Sequence, residues 1–254
     1  MWNRCVLFMS DTSVSEIVRR IIDAEPYLRE CLAKGVINYS KLAKIIKPLV
    51  EHILNSKCSL NTLKMSLIRY AQKTQSKAGI EDKIRRSVME ILAKSSLEVK
   101  TGISVITLKI NALPSVIKIV SELLGTTRFL TIMQGLTTVT MIVDDEHYSL
   151  IEKYVNKNDI VYSVRDQAAI LIVSPMKIIS TPGFIAYITS LLARSNINIL
   201  QIESCHTDTV IIVSKNDMMK TLQLLAEAIE LSKKYLAEML ANFKNNYLDI
   251  AFKG

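Results

Sequence analysis

The chain is poor in the residues that cofactor chemistry, disulfide scaffolds and membrane spans require. Its 254 residues include only 7 glycines, 5 prolines, 4 cysteines and 3 histidines. Cys5, Cys31, Cys58 and Cys205 lie far apart, as do His52, His147 and His206. None of them has the paired spacing of a zinc or redox site, so no metal and no other cofactor is expected. Dispersed thiols of this kind are expected to be reduced, in a cytoplasmic protein. No apolar run approaches the roughly 18 residues of a membrane span. The longest, 168–180, is interrupted by Pro175 and Lys177, so no membrane partner is expected. Residues 1–9 are too short for a signal peptide, and Met9-Ser10-Asp11 reads as an alternative start. Aromatic residues make up only 6 % while isoleucine alone numbers 33, so the core is expected to be aliphatic. With 49 % hydrophobic and 22 % charged residues, wholesale disorder is excluded.

Acidic residues are scarce in one half of the chain. Through Lys100 there are 18 basic residues against 10 acidic ones; from Thr101 onward there are 14 of each. The formal net charge of +8 therefore sits in the first hundred residues. Within 34–77, nine basic residues face one acid, Glu51. A basic N-terminal part joined to a neutral C-terminal part implies two jobs.

The first hundred residues carry helical periodicity. Apolar residues recur through 13–34, with Ser13 and Glu16 as a capping box and Gly35 as a stop. A second stretch starts at Asn38 or Ser40 and contains Pro48, which kinks or breaks it. Ser59 or Asn61 opens a third, and a fourth runs over 80–94 after a polar break at 74–79. Beyond Ser95 the pattern turns to strands at 103–110, 129–133, 139–143 and 160–164, with helices at 113–124 and 147–155. The order then repeats: strand 169–174, helix 184–194, strands 197–202 and 209–213, and a helix from Met218. Pro114 and Pro182 are 68 apart, as are Phe129 and Ile197, whereas Val143 and Val213 are 70 apart. The second copy is therefore expected to be two residues longer in its hairpin, and Ser115 to correspond to Gly183. Each copy reads βαββαβ, a ferredoxin-like unit. Only the last strand of the second copy lacks a clear candidate, with 247–252 the remaining choice.

The residues of the second copy resemble a known family. VYSVRDQAAILIV at 161–173, STPGF at 180–184, ARSNINI at 193–199 and TVIIV at 209–213 are similar to the regulatory ACT domains of aspartate kinases. The resemblance covers about the last 150 residues. Leu113-Pro114-Ser115 stands where the first copy would carry the Pro-Gly pair. A kinase domain is not expected within these residues, which also lack a glycine-rich phosphate loop. The resemblance implies a free-standing tandem regulatory module whose relatives bind small effectors, commonly amino acids.

Two sets of site residues follow. Thr181, Pro182 and Gly183 precede a helix opening at Phe184 and Ile185, where free N–H groups and the positive dipole end suit a carboxylate. A Cβ at position 183 would stand between those groups and the ligand. Asn198, on the next strand in the family pattern, can accept from an amino group. In the basic part, the helix opening near Leu60 fits a recognition helix. Asn61, Thr62, Lys64 and Arg69 lie on it, and Lys41, Lys44, Lys57 and Lys73 are placed for phosphates. Catalysis is not expected. Asp144, Asp145 and Glu146 read as a solvated turn at a helix start. Alternation puts Glu203 and Cys205 on one face and His206 on the other, so they form no triad.

The expected fold class is α+β, with an N-terminal all-α helical domain followed by two ferredoxin-like, ACT-like repeats. The expected bounds are 1–96 for the basic helical domain, 97–166 for the first repeat and 167–254 for the second with its C-terminal helix. The expected function is a sensing regulator for a small effector, an amino acid, acting through double-stranded DNA as a homodimer or higher oligomer. The alternative is a regulatory subunit that controls an enzyme of amino-acid metabolism.

Overall fold

The computed structural model describes residues 13–75 and 78–251, so the alternative start at Met9 lies outside the described residues. The chain divides into two compact units between Lys83 and Ile84. The first contains α1 (Val14–Asp23), α2 (Pro26–Ala33), α3 (Tyr39–Leu54) and α4 (Leu60–Gln75). Ser13 caps α1 by accepting the Glu16 N–H at 3.3 Å, and Asn38 caps α3 by accepting that of Lys41 at 3.0 Å. The single periodic stretch read over 13–34 is two helices, because Pro26 is placed at the first turn of α2, where its missing N–H costs nothing. Pro48 stays inside one continuous α3. Ile17, Val18, Ile22, Leu32, Ile46 and Leu67 meet in a core of their own.

α5 (Ala78–Ala93) leads into the second unit. The expected boundary at residue 96 gives all of α5 to the helical domain. The packing divides the chain earlier, because Val88, Ile91 and Leu92 lie in one cluster with Ile170, Phe184, Ile188 and Ile211. Burying each aliphatic side chain in such a cluster stabilises by about 1.5–3 kcal/mol.

The remaining elements are β1 (Ser96–Lys109), α6 (Leu113–Leu123), β2 (Leu130–Gln134), β3 (Thr138–Asp144), α7 (Tyr148–Tyr154), β4 (Ile160–Val173), α8 (Phe184–Arg194), β5 (Gln201–Cys205), β6 (Asp208–Ser214) and α9 (Met218–Ala251). The strands form one antiparallel sheet in the order β2-β3-β1-β4-β6-β5. The two 14-residue strands at its centre each do two jobs. The C-terminal half of β1 pairs with β3, from Ile103 opposite Asp144 to Lys109 opposite Thr138, and with the start of β4. That set is one βαββαβ unit. The C-terminal half of β4 pairs with β6, from Gln167 opposite Ser214 to Val173 opposite Asp208. Its other neighbour is the beginning of β1, from Ser96 opposite Val173 to Thr101 opposite Ala168.

The missing last strand of the second repeat is therefore residues 96–101, which precede the first repeat. The late candidate at 247–252 is overturned: α9 runs through Ala251, and Phe252 lies outside the described residues. Each central strand bends between its two jobs at a left-handed residue, Gly102 with φ +68 and Asp166 with φ +55.

Matching elements also corrects the repeat offset. Leu113 opens the helix that Phe184 opens in the second copy, so Gly183 corresponds to Ala112 and not to Ser115. The extra length of the second copy lies before its helix, in residues 174–183 against 110–112. Its hairpin is the shorter of the two, spanning 206–207 against 135–137.

One sheet face packs against the helices in two clusters, one per repeat. The opposite face buries Ile103, Val105, Phe129, Ile142, Ala169 and Ile212 against one another.

Candidate functional site

The turn before α8 has two of the expected features. No side chain caps the α8 N-terminus, so its first N–H groups keep their capacity for an acceptor. Pro182 is exposed, Thr181 and Ile185 half-buried, and Phe184 buried in the core. Gly183 differs from expectation. Its φ is +91, and an added Cβ would meet Ile84 Cγ2 at 3.3 Å. The glycine therefore makes the backbone turn and the packing of α5 possible, and its missing Cβ points at Ile84 rather than at a ligand. Asn198 is exposed in the connection before β5, which begins only at Gln201. It follows the C-terminus of the 11-residue α8, about 16 Å from the turn at the other end. One copy of the repeat does not bring the two together.

The acidic run that begins at the last residue of β3 is solvated at Glu146 but not at Asp144. Asp144 has a side chain only 3 % exposed. Its Oδ2 accepts the Arg128 N–H at 2.9 Å, the Phe129 N–H at 3.1 Å and the Thr127 hydroxyl at 3.1 Å. Asp145 accepts the Ser104 hydroxyl and, at 3.0 Å, the N–H of Asp166 at the β4 bend. From the other repeat, Lys215 reaches the carboxylate of the same Asp166 at 2.8 Å. These acids satisfy backbone donors that the curled sheet would otherwise bury unpaired. The Asp144, Glu146 and His147 ligand atoms lie within 4.8 Å of one another. The Arg128 guanidinium, 3.8 Å from both carboxylates, already supplies the positive charge there.

Beside this turn lies a cavity of about 300 Å³ lined by Val99, Lys100, Thr101, Arg128 and Asp144. Lys100 donates from Nζ to the Arg128 carbonyl at 2.9 Å and lies 5.5 Å from the centre of the Phe129 ring. Sequence reasoning missed this cavity. Its signal, two cations flanking a buried acid, is spread over the start of β1, the start of β2 and the end of β3.

Across the sheet, burial pushes the Glu203 carboxyl up from the usual carboxylate range, and the Thr131 hydrogen bond pulls it back. Glu203 Oε1 is buried with no hydrogen-bond partner. His206 is an exposed turn residue with φ +55.

In the helical unit Lys41, Lys44, Lys57, Asn61, Thr62, Lys64, Arg69 and Lys73 are all exposed. Thr62 is committed to the α4 start, its N–H donating to Ser59 Oγ at 3.0 Å and its hydroxyl bonded there at 2.9 Å. The lone acid of the segment, Glu51, accepts the Cys58 N–H at 2.9 Å and lies 3.6 Å from Lys47. The outer side of α3 also carries Ile45, Leu49 and Ile53, four apart on one face and 65, 48 and 36 % exposed.

Residues 162–227, from β4 into α9, match the family model of the ACT domain. No curated protein gives a significant match. The chain is similar to the aspartate kinase of Clostridium acetobutylicum, at 21 % identity and a TM-score of 0.45 over 53 % of this chain and 34 % of that enzyme. It is also similar to a putative C-terminal regulatory domain of aspartate kinase from Porphyromonas gingivalis, at 16 % identity and 0.41 over 54 % and 98 % of the two chains. A third similarity is to the regulatory subunit of aspartate kinase from Thermus thermophilus, at 16 % and 0.43 over 52 % and 95 %. The chain thus spans about a third of the clostridial enzyme. The expected ACT resemblance is met over residues 162–227, and the strand order gives the ferredoxin-like fold independently. Among the described residues no helix is long and apolar enough to cross a membrane.

Proposed function

We propose that the protein is a cytoplasmic regulator, not a catalyst, in which the sheet unit senses a small amino acid and the helical unit delivers the response. The ACT match over 162–227, seated in an intertwined pair of βαββαβ units, carries this reading. The uncapped N-terminus of α8 supports a carboxylate contact through Thr181, Pro182, Gly183, Phe184 and Ile185. Asn198 lies at the far end of that helix, so a site using both is completed by a second copy of the chain. Homo-oligomerisation belongs to the reading for that reason. Melting the purified chain with each of the twenty amino acids tests it. A true effector at a hundred times its dissociation constant adds about 2.7 kcal/mol to stability; no shift with any of them contradicts the reading.

For the output we propose duplex DNA, on the strength of the one-sided charge of 34–77 and the exposure of the eight polar residues on α3, α4 and the connection between them. Linkage then works through the spacing of paired helical units, which an effector would favour or disfavour. The exposed Ile45, Leu49 and Ile53 support a second reading, in which α3 docks on a protein. A gel shift over a salt series separates the two: DNA binding falls steeply with salt, while a docking module leaves the duplex unbound.

A further inference from the structure

We propose that the cavity beside the bend of β1 is a second ligand site, taking a short α-amino acid by its two charged ends. The carboxylate lies between Lys100 and Arg128, and the ammonium lies on Asp144. The amino-acid class rests on the effector reading above; the location and the recognising residues do not, and they are remote in sequence from the turn before α8.

The chemistry follows from unused bonding capacity. Asp144 Oδ2 is filled by three donors. Asp144 Oδ1 has the Arg128 guanidinium at 3.8 Å, too far for a hydrogen bond. A carboxylate that is 3 % exposed and lines a cavity thus keeps an oxygen for a donor. An ammonium supplies one with the matching charge. Lys100 spends one of its three donors on the Arg128 carbonyl, which also fixes where the ammonium head stands. Arg128 is 73 % exposed and held by two ion pairs at 3.8 Å, so its fork is open to an incoming carboxylate. Two cations and one buried anion around about 300 Å³ fit a zwitterion better than a simple anion. The volume is at the lower end for ligand pockets, and Val99 is the apolar lining residue. A short side chain is selected. The second repeat has no matching acid: Ser214 stands where Asp144 stands and bonds Asp217 at 2.8 Å.

Isothermal titration calorimetry on the full chain tests this with glycine, alanine, serine and the other common amino acids as probes. The variants are Arg128→Gln and Lys100→Met, both outside the core and both removing the charge while keeping the first part of the aliphatic stem. At least one short amino acid is expected to bind the wild type, and each variant is expected to weaken it by about tenfold or more. Propionate, which lacks the amino group, and ethylamine, which lacks the carboxylate, are each expected to lose a similar factor. Binding that survives undiminished in both variants overturns the proposal while leaving the effector reading intact, with the ligand elsewhere. Propionate binding as well as alanine reduces the cavity to an anion site and removes the role of Asp144. Failure of every amino acid up to about 10 mM overturns both readings.

Discussion

The first repeat reaches its helix three residues after the central strand, at Leu113; the second takes ten, 174–183, before Phe184. The first ends on the seven-residue α7, the second on the 34-residue α9. Where the first turns out of β3 it buries the carboxylate of Asp144, and where the second turns out of β6 it uses the hydroxyl of Ser214. Strand order is the same in both. The difference teaches that the sheet fixes the strands while the connections are free to carry separate tasks: a ten-residue turn before the helix in one copy, a charged cavity in the other. Loops tolerate such changes because added length costs little closure entropy.

The largest effect is expected at the long turn. Gly183→Val forces a β-branched residue to φ +91 against Ile84 at 3.3 Å. A loss of about 3 kcal/mol in urea unfolding follows from backbone strain plus overpacking. Gly102→Ala meets nothing within 4 Å and is expected to lose only the strain, about 1–2 kcal/mol. Equal losses would mean that Ile84 yields freely.

Next comes the short turn. Asp144→Ala strands two N–H groups and a hydroxyl and is expected to cost about 2 kcal/mol. The matched Ser214→Ala, which removes one cap on Asp217, costs about 1 kcal/mol. Similar values would erase the distinction between the two turns.

Glu203→Gln is a smaller effect of opposite sign. Because burial raises the folded carboxyl above its unfolded value, ionising Glu203 destabilises the fold as pH rises through and above the carboxylate range. The variant is therefore expected to melt slightly higher than wild type at pH 7. The gain should vanish below about pH 4, where the acid is protonated in both states. A gain independent of pH would assign it to packing. Smallest for stability, near zero, are Lys64→Glu and Arg69→Glu on the exposed side of α4. Both should weaken duplex binding in a low-salt gel shift, and unchanged affinity would remove α4 from the DNA reading.

The sequence was readable where local signals decide. Ser13 and Asn38 mark true helix starts, and the aliphatic strands of both repeats overlap where their periodicity puts them, although the one expected at 197–202 starts only at Gln201. It was not readable where partners are remote. Residues 96–101, SLEVKT, carry two charges and look like a linker; they form a strand because β4, more than sixty residues on, offers its free side. The burial of Asp144 depends on the N–H groups of Arg128 and Phe129, which only the folded β2–β3 hairpin brings to it. The offset of 68 between the two prolines misled for a related reason. Pro114 lies inside the first turn of α6 whereas Pro182 lies before α8, so the same residue type marks different positions.

The most direct test of where the sheet unit holds its ligand is amide hydrogen exchange on the full chain, with and without whichever short amino acid stabilises it. Added protection is expected at residues 99–101 and 127–129, around the cavity, together with any change at residues 181–185. Protection confined to 181–185 and Asn198, with the cavity segments unmoved, would contradict that expectation.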